Sequence, residues 1–175
     1  MEKEFLEFIK SRKSIREFTD QKIPNDVLNQ ILECGRWAPS GLNNQPWKVC
    51  AVAHPTVKRM IAEQTKDSNI VNSAFCCLVI FLDKDKSYDR VKDILGMGAF
   101  MENIILAIHA YPNLGAVWLG EILNQKEKVN EIFKYSEAKF ELMGVIALGI
   151  IEEAQKTKEK EPRERFPVNS FVEWF

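Results

Sequence analysis

The chain has 175 residues, 46% of them apolar and 28% charged, with a net charge of −1. These are the proportions of a soluble globular protein, long enough to bury roughly 70% of its unfolded surface in one core, so a single domain over residues 1–175 is expected. A charge so near zero gives no field to draw in nucleic acid or anionic lipid, and no apolar run reaches the ~18 residues of a membrane span. Met1–Glu4 lacks the layout of a signal peptide, so the expected location is cytoplasmic, with no nucleic-acid or membrane partner. The cysteines are Cys34, Cys50, Cys76 and Cys77, without Cys-x-x-Cys spacing and with only His54 and His109 to join them. Free thiols and no metal site are the expectation.

In chain order, Phe5, Leu6 and Ile9 recur at helical spacing and predict a short amphipathic helix over the first dozen residues. It runs into Arg12-Lys13-Ser14-Ile15-Arg16, three cations within five residues around a serine. Charge alone favours a solvated surface patch. The alternative is a phosphate grip, with guanidinium forks supplying geometry and the hydroxyl or a backbone N–H completing it. Pro24, Asn25 and Asp26 open a second helix striped by Val27, Leu28, Ile31 and Leu32. That helix delivers the chain to Trp37-Ala38-Pro39-Ser40-Gly41-Leu42-Asn43-Asn44-Gln45-Pro46-Trp47. Pro39 pushes Ala38 out of helical geometry, and Gly41 permits close approach or positive φ. The amides of Asn43, Asn44 and Gln45 suit the edge of a flat heterocycle, and equally an ordinary helix-to-strand connection.

Trp47–Ala53 reads as a strand, and Pro55 starts a helix carrying Val57, Met60 and Ile61. The near-continuous apolar run Ala74–Leu82 predicts a strand covered on both faces, followed by a short charged link, Asp83–Asp89. Arg90–Tyr111 is the longest helical candidate, apolar around most of its circumference and so to be buried in a core or against a second subunit. Gly96 and Gly98 would let another helix approach closely, while Glu102 and His109 read as satisfied groups rather than catalysts. Leu114–Leu119 predicts a strand ending at Gly120, Asn124 an N-cap for a helix to about Tyr135, and Phe140–Ile151 the last strand. The charged run Glu152–Glu161 leads to Arg163, Arg165 and an aromatic end, Phe171, Trp174 and Phe175. A charged arm tipped with apolar residues predicts a tail, residues 152–175, that packs on a partner chain. The alternation of helices and strands points to a layered α/β or α+β fold.

Four stretches then line up: Arg12 to Arg16, Ala38-Pro39-Ser40 through Gln45-Pro46-Trp47, Gly115-Ala116-Val117-Trp118-Leu119-Gly120, and Arg163-x-Arg165-Phe166-Pro167. In this order they resemble the nitroreductase family of FMN-dependent oxidoreductases, over almost the whole chain. The resemblance implies an α+β fold with a mainly antiparallel central sheet flanked by helices, a long central helix at a homodimer interface, and two FMN sites built from both subunits. By position, Arg12 resembles the family's phosphate-binding arginine, with Lys13 and Ser14 meeting the phosphate and ribityl chain. Arg16 resembles the basic residue beside the pyrimidine end of the flavin. Pro39, Ser40, Gly41 and Asn43, with Gln45 close by, resemble the loop that reaches the flavin from the other subunit. Trp118, Leu119 and Gly120 resemble the segment whose backbone faces the ring, and Arg163 and Arg165 the late basic pair on the phosphate.

The implied activity is ping-pong hydride transfer from NADH or NADPH through bound FMN to a nitroaromatic, quinone or similar flat small-molecule acceptor. The chemistry then rides on the flavin, with no catalytic acid–base pair and with Arg16 tuning the potential. A non-catalytic FMN store or redox sensor would carry the same cofactor motifs. A specialised flavin enzyme such as a reductive dehalogenase would need segments this chain is too short to hold. Lys13 stands where many relatives carry arginine or histidine, and only Asp83–Asp89 remains where many carry a longer excursion, which implies a more open acceptor face.

Overall fold

The central strand of the sheet is the plainest case of sequence setting structure. In the computed structural model, which describes residues 2–152 and 163–175, β2 (Cys76–Asp83) is buried from Cys76 through Leu82. It lies between β1 (Trp47–Val52) and β4 (Phe140–Ile150), and β3 (Leu114–Leu119) completes the order β1-β2-β4-β3, every neighbouring pair antiparallel. Because strand side chains alternate, Leu78, Ile80 and Leu82 turn to one face and Cys77, Val79 and Phe81 to the other. The first face packs on α2 (Asn25–Arg36) and α5 (Arg90–Ala110) through Ile31, Phe100 and Ile104. The second packs on α3 (Pro55–Ala62), α4 (Ser68–Ser73) and α6 (Lys126–Ile132) through Ile61, Val71 and Val129. The short α1 (Glu2–Ser11) contributes no buried residue. All four cysteines are free, with Cys76 and Cys77 buried. No helix among the described residues is long and apolar enough to cross a membrane.

The long helix is buried along Met97, Phe100, Met101, Ile104, Ile105 and Ile108. Its first turns are not, since Val91 and Leu95 stand 69% and 70% exposed, so burial all round fails at this end within the chain itself. Nor does Gly96 face a helix. A Cβ there would lie 3.4 Å from the Pro39 carbonyl oxygen, so a loop makes the close approach. The intimate helix contact runs through Gly35 of α2, whose added Cβ would sit 2.8 Å from Ile104.

The sequence expectation also fails around residue 124. A 3-10 turn over Glu121–Gln125 comes first, α6 starts at Lys126 and ends at Ile132, and Asn124 bonds Glu121 instead of capping. Helix α4 had no forecast, because Ser68-Asn69-Ile70-Val71-Asn72-Ser73 is too short and polar to show a period. Of the expected arm, residues 153–162 lie outside the described ones; from Arg163 on, the tail exposes Phe166, Phe171, Trp174 and Phe175.

Two glycines decide how the N-terminal segment lies. Gly115 of β3 pairs with Gly149 of β4, side by side in the sheet. Residues 12–19 cross just there, tied by Ile15 N–H to Ala116 O at 2.9 Å and Thr19 N–H to Ile150 O at 2.8 Å. A Cβ at Gly115 would stand 2.8 Å from Ile15 Cβ, and one at Gly149 2.7 Å from Phe18 Cβ. Gly149→Ala should therefore lift the crossing segment and cost about 1–3 kcal/mol, the usual range for overpacking. Urea unfolding measures this; an unchanged midpoint would mean that the segment is not seated on the sheet as described.

Candidate functional site

Helix α1 ends where its carbonyls find side-chain partners. Ser11 Oγ bonds Phe8 O and His109 Nε2, each at 2.8 Å, and the Arg163 guanidinium bonds Arg12 O and, at 2.5 Å, Lys10 O. A cation on the last carbonyls of a helix answers its negative end. The chain then runs extended over β3 and β4, presenting Arg12, Lys13, Ser14 and Arg16. Arg12 Nε stands 4.0 Å from Glu102 Oε1 of α5, a long, part-exposed pair. Beside this segment lies a cleft of about 250 Å³, lined by Arg12, Lys13, His109, Gly115 and Ala116 among others. Further along β3, Trp118 lies with Nε1 only 2.8 Å from where a Cβ of Gly144 would be. Gly144 sits at φ 148° beside the irregularity in the β2–β4 register, a conformation and a vacancy that only glycine provides. Leu119 is buried, and Gly120 is exposed at the strand's end. Arg165 is exposed too, donating to Glu164 O.

The loop 37–46 is built differently. Trp37 N–H and Ala38 N–H close α2 on Cys34 O and Gly35 O, and Pro39 ends the helix as expected. Beyond it, left-handed backbone falls on Leu42 (φ 54°), Asn43 (φ 56°) and Gln45 (φ 46°), and not on Gly41, whose lack of a side chain instead admits the Tyr88 phenol. Such conformations cost of order 1 kcal/mol or more per non-glycine residue and persist only where neighbours impose them. Ser40 Oγ accepts from Gln45 N–H at 3.1 Å, and Gln45 Nε2 donates to Asn43 Oδ1 at 3.1 Å. Asn44 turns inward, its Nδ2 donating to Lys86 O at 3.0 Å and Asp93 Oδ1 at 2.7 Å. Of the three amides suited to a ligand's edge, Asn44 is thus spent inside the protein. Trp37 is exposed, its Nε1 bonded to Glu33, whose carboxyl is held down to about 2 by Arg36 first and then by Trp37.

The structure brings Arg12, Lys13 and Arg163 together beside Ala116 of β3, and sets Trp118, two residues along that strand, over Gly144. It leaves Pro39–Gln45 apart. The loop meets α5 at Asp93 and Gly96, whereas the Arg12 cleft meets it at Ile105 and His109. Nine residues separate Gly96 from Ile105, roughly 14 Å along a helix axis. Sequence reasoning missed Asp93 and Tyr88. Asp93, an acidic residue in the first helical turn, reads as an ordinary complement to the helix dipole.

Comparison with known proteins bears on this arrangement. The Nitroreductase family profile matches residues 9–76. An Archaeoglobus fulgidus protein carrying the name NADH dehydrogenase/NAD(P)H nitroreductase is 30% identical over 118 residues, 67% of each chain. A Desulfovibrio desulfuricans structure, described as a nitroreductase in complex with FMN, superposes with a TM-score of 0.86 at 35% identity, covering 97% of this chain and 96% of that one. The chain belongs to the nitroreductase family. A Methanothermobacter thermautotrophicus protein with the same name as the archaeal relative is 27% identical over 75% of this chain and 70% of its own. The nitroreductase fold accounts for the α+β layering and the antiparallel sheet, and the family makes this chain an oxidoreductase.

The Asp93 carboxylate has a stated consequence in acid. Burial alone would raise its pKa, but bonds from Ser87, Asn44, Asp89 N–H and Tyr88 N–H outweigh burial and hold it below the ordinary 3.8. A carboxyl whose folded pKa is depressed stabilises fully above its unfolded value and loses that contribution as pH falls through the folded one. The stability gap between wild type and Asp93→Asn should therefore be wide at pH 6 and shrink below about pH 4. Urea titrations of both proteins at the two pH values check this, and a gap of constant size would contradict it.

Proposed function

We propose that the chain is an FMN-dependent oxidoreductase that passes hydride from NADH or NADPH to a nitroaromatic, quinone or similar flat acceptor by a ping-pong cycle. We read it as one FMN-binding domain over residues 1–175 that works as a homodimer, each site drawing on both subunits. One observation carries this reading: the cationic half of the candidate site and the strained amide loop lie apart on a single chain, and a second copy can bring them together. The exposed Val91, Leu95 and aromatic tail support the same reading, as apolar surface awaiting a partner.

The residues fit the cofactor. Arg12, Lys13 and Arg163 bring cations to one place, as a phosphate dianion requires, and Ser14 follows them directly in the chain. The cleft, about 250 Å³, falls below the roughly 300–1,000 Å³ of whole-ligand pockets. It suits the phosphate and ribityl end of the cofactor. Bound FMN would supply the redox chemistry of hydride transfer. The arginines, Arg165 included, would anchor the phosphate through charge and guanidinium geometry. Arg16 sets a positive charge at the ring's pyrimidine end, where negative charge gathers on reduction, and so raises the potential. The backbone of Trp118, Leu119 and Gly120 would face the ring and shield it from water. The partner loop would close on its edge, Pro39 and Gly41 shaping the approach and Ser40, Asn43 and Gln45 offering donors. Names of relatives support the electron donor: the archaeal ones carry NAD(P)H nitroreductase in theirs.

The purified protein should be yellow with FMN bound, and anaerobic mixing with NADH or NADPH should bleach it at a catalytic rate. A flavin that binds and is never reduced would make the protein a store or sensor. Two variants separate holding from tuning. Arg165→Ala loses a charge-assisted contact worth about 1.5–3 kcal/mol, so FMN should bind roughly ten- to a hundred-fold more weakly, with a near-normal potential once saturated. Arg16→Ala should lower the potential and slow reduction even when fully loaded, and Arg16→Lys should recover most of the loss. Dye-equilibrated redox titration decides; equal shifts in both variants would mean that the two ends of the flavin are assigned wrongly.

A further inference from the structure

We infer that Asp93 is a positioning residue for the flavin site of the partner subunit, acting through Asn44 on the loop 39–45. The inference rests on the flavin reading above and adds a residue, and a direction of action, to it. Asp93 is 1% exposed and its carboxylate is fully engaged. Oδ2 accepts from Ser87 Oγ at 2.5 Å, Tyr88 N–H at 3.1 Å and Asp89 N–H at 3.2 Å, and Oδ1 accepts from Asn44 Nδ2 at 2.7 Å. One buried group thus ties three things together: the start of α5, the link before it, and the loop after α2.

The Asn44 end of this joint is directional. Its Nδ2 lies between two acceptors, Asp93 Oδ1 and Lys86 O, so the amide can stand only one way round. Its Oδ1 is consequently left buried without a partner among the described residues. A side chain held at that cost is held for its orientation. Asn44 sits between the left-handed Leu42 and Asn43 on one side and Gln45 on the other. Release of Asn44 would let those residues relax into ordinary backbone regions and swing the Asn43 and Gln45 amides elsewhere. Tyr88, set by its own N–H on Asp93, presses on Gly41 and fixes the other end of the turn. The loop is therefore shaped in advance, and a preformed loop loses little freedom when a ligand meets it. It is shaped on the part of α5 away from its own chain's Arg12 cleft, so the site it serves is the one on the second copy.

The test measures FMN affinity by fluorescence quenching in homodimers and in doubly tagged heterodimers. Asp93→Asn puts a donor against the donor of Asn44 and should weaken FMN binding roughly ten-fold. Asn44→Ala cuts the joint from the loop side, leaves the other three bonds of Asp93 intact, and should do the same if Asp93→Asn fails to fold. The exchanged pair, Asp93→Asn with Asn44→Asp, restores a donor facing an acceptor and should recover part of the affinity. The heterodimer of Asp93→Asn with Arg12→Ala is decisive. If Asp93 acts across the interface, both defects fall in one site and the other site is intact, so one tight FMN per dimer returns. No tight site in that heterodimer, or wild-type affinity in the Asp93→Asn and Asn44→Ala homodimers, would overturn the inference. A wild-type protein that takes up no FMN would instead overturn the flavin reading.

Discussion

Much of this molecule depends on residues 12–19 crossing the β3–β4 pair at two side-by-side glycines. Without a side chain at Gly115 and Gly149, Ile15 and Phe18 seat directly on the strands, and two backbone hydrogen bonds hold the segment. The crossing turns a run of three cations, which would otherwise repel one another in solvent, into a fixed array beside a cleft. It also sets Arg12 next to β3, so that Trp118 follows within a few residues on the same strand. The bulge at Gly144 makes the companion adjustment, opening the floor on which the indole rests.

The loop after α2 follows the opposite logic. The crossing is held by the sheet, a rigid element, whereas the loop is held by a few hydrogen bonds converging on Asp93 and Ser40. The sheet gives the cationic half precision. The tethers give the amide half a conformation it would not adopt alone. On the proposed reading, in which two copies of the chain share each site, assembly and ligand binding become a single problem.

Where the sequence could be read, one local signal sufficed. The apolar run to Leu82 required a strand covered on both sides, Pro39 required a helix to end, and the long apolar stretch from Arg90 required a largely buried helix. The cluster at Arg12 was visible because its three cations fall within five residues. What escaped reading depends on residues far apart in the chain. Asp93 looks like a first-turn acid until Asn44, 49 positions earlier, is seen to donate to it. The glycine pair has no meaning before the strand register is known. Of the two roles expected of Gly41, close approach is the one it fills, against Tyr88; left-handed backbone fell on Leu42, Asn43 and Gln45, because tethers at Ser40 and Asn44 outweigh intrinsic preference. Asn124 failed as a cap because a 3-10 turn reached it before α6 began.

Leu42 gives this a sharper edge. It is 84% exposed, so it returns little buried area, and its backbone is one that leucine resists. Anyone seeking a hardier version of this protein would choose that position early, since glycine would relieve the turn. The same exchange would hand the loop back the freedom that its tethers withhold. On the proposed reading of this loop, thermal tolerance and fitness for work pull in opposite directions at a single exposed side chain.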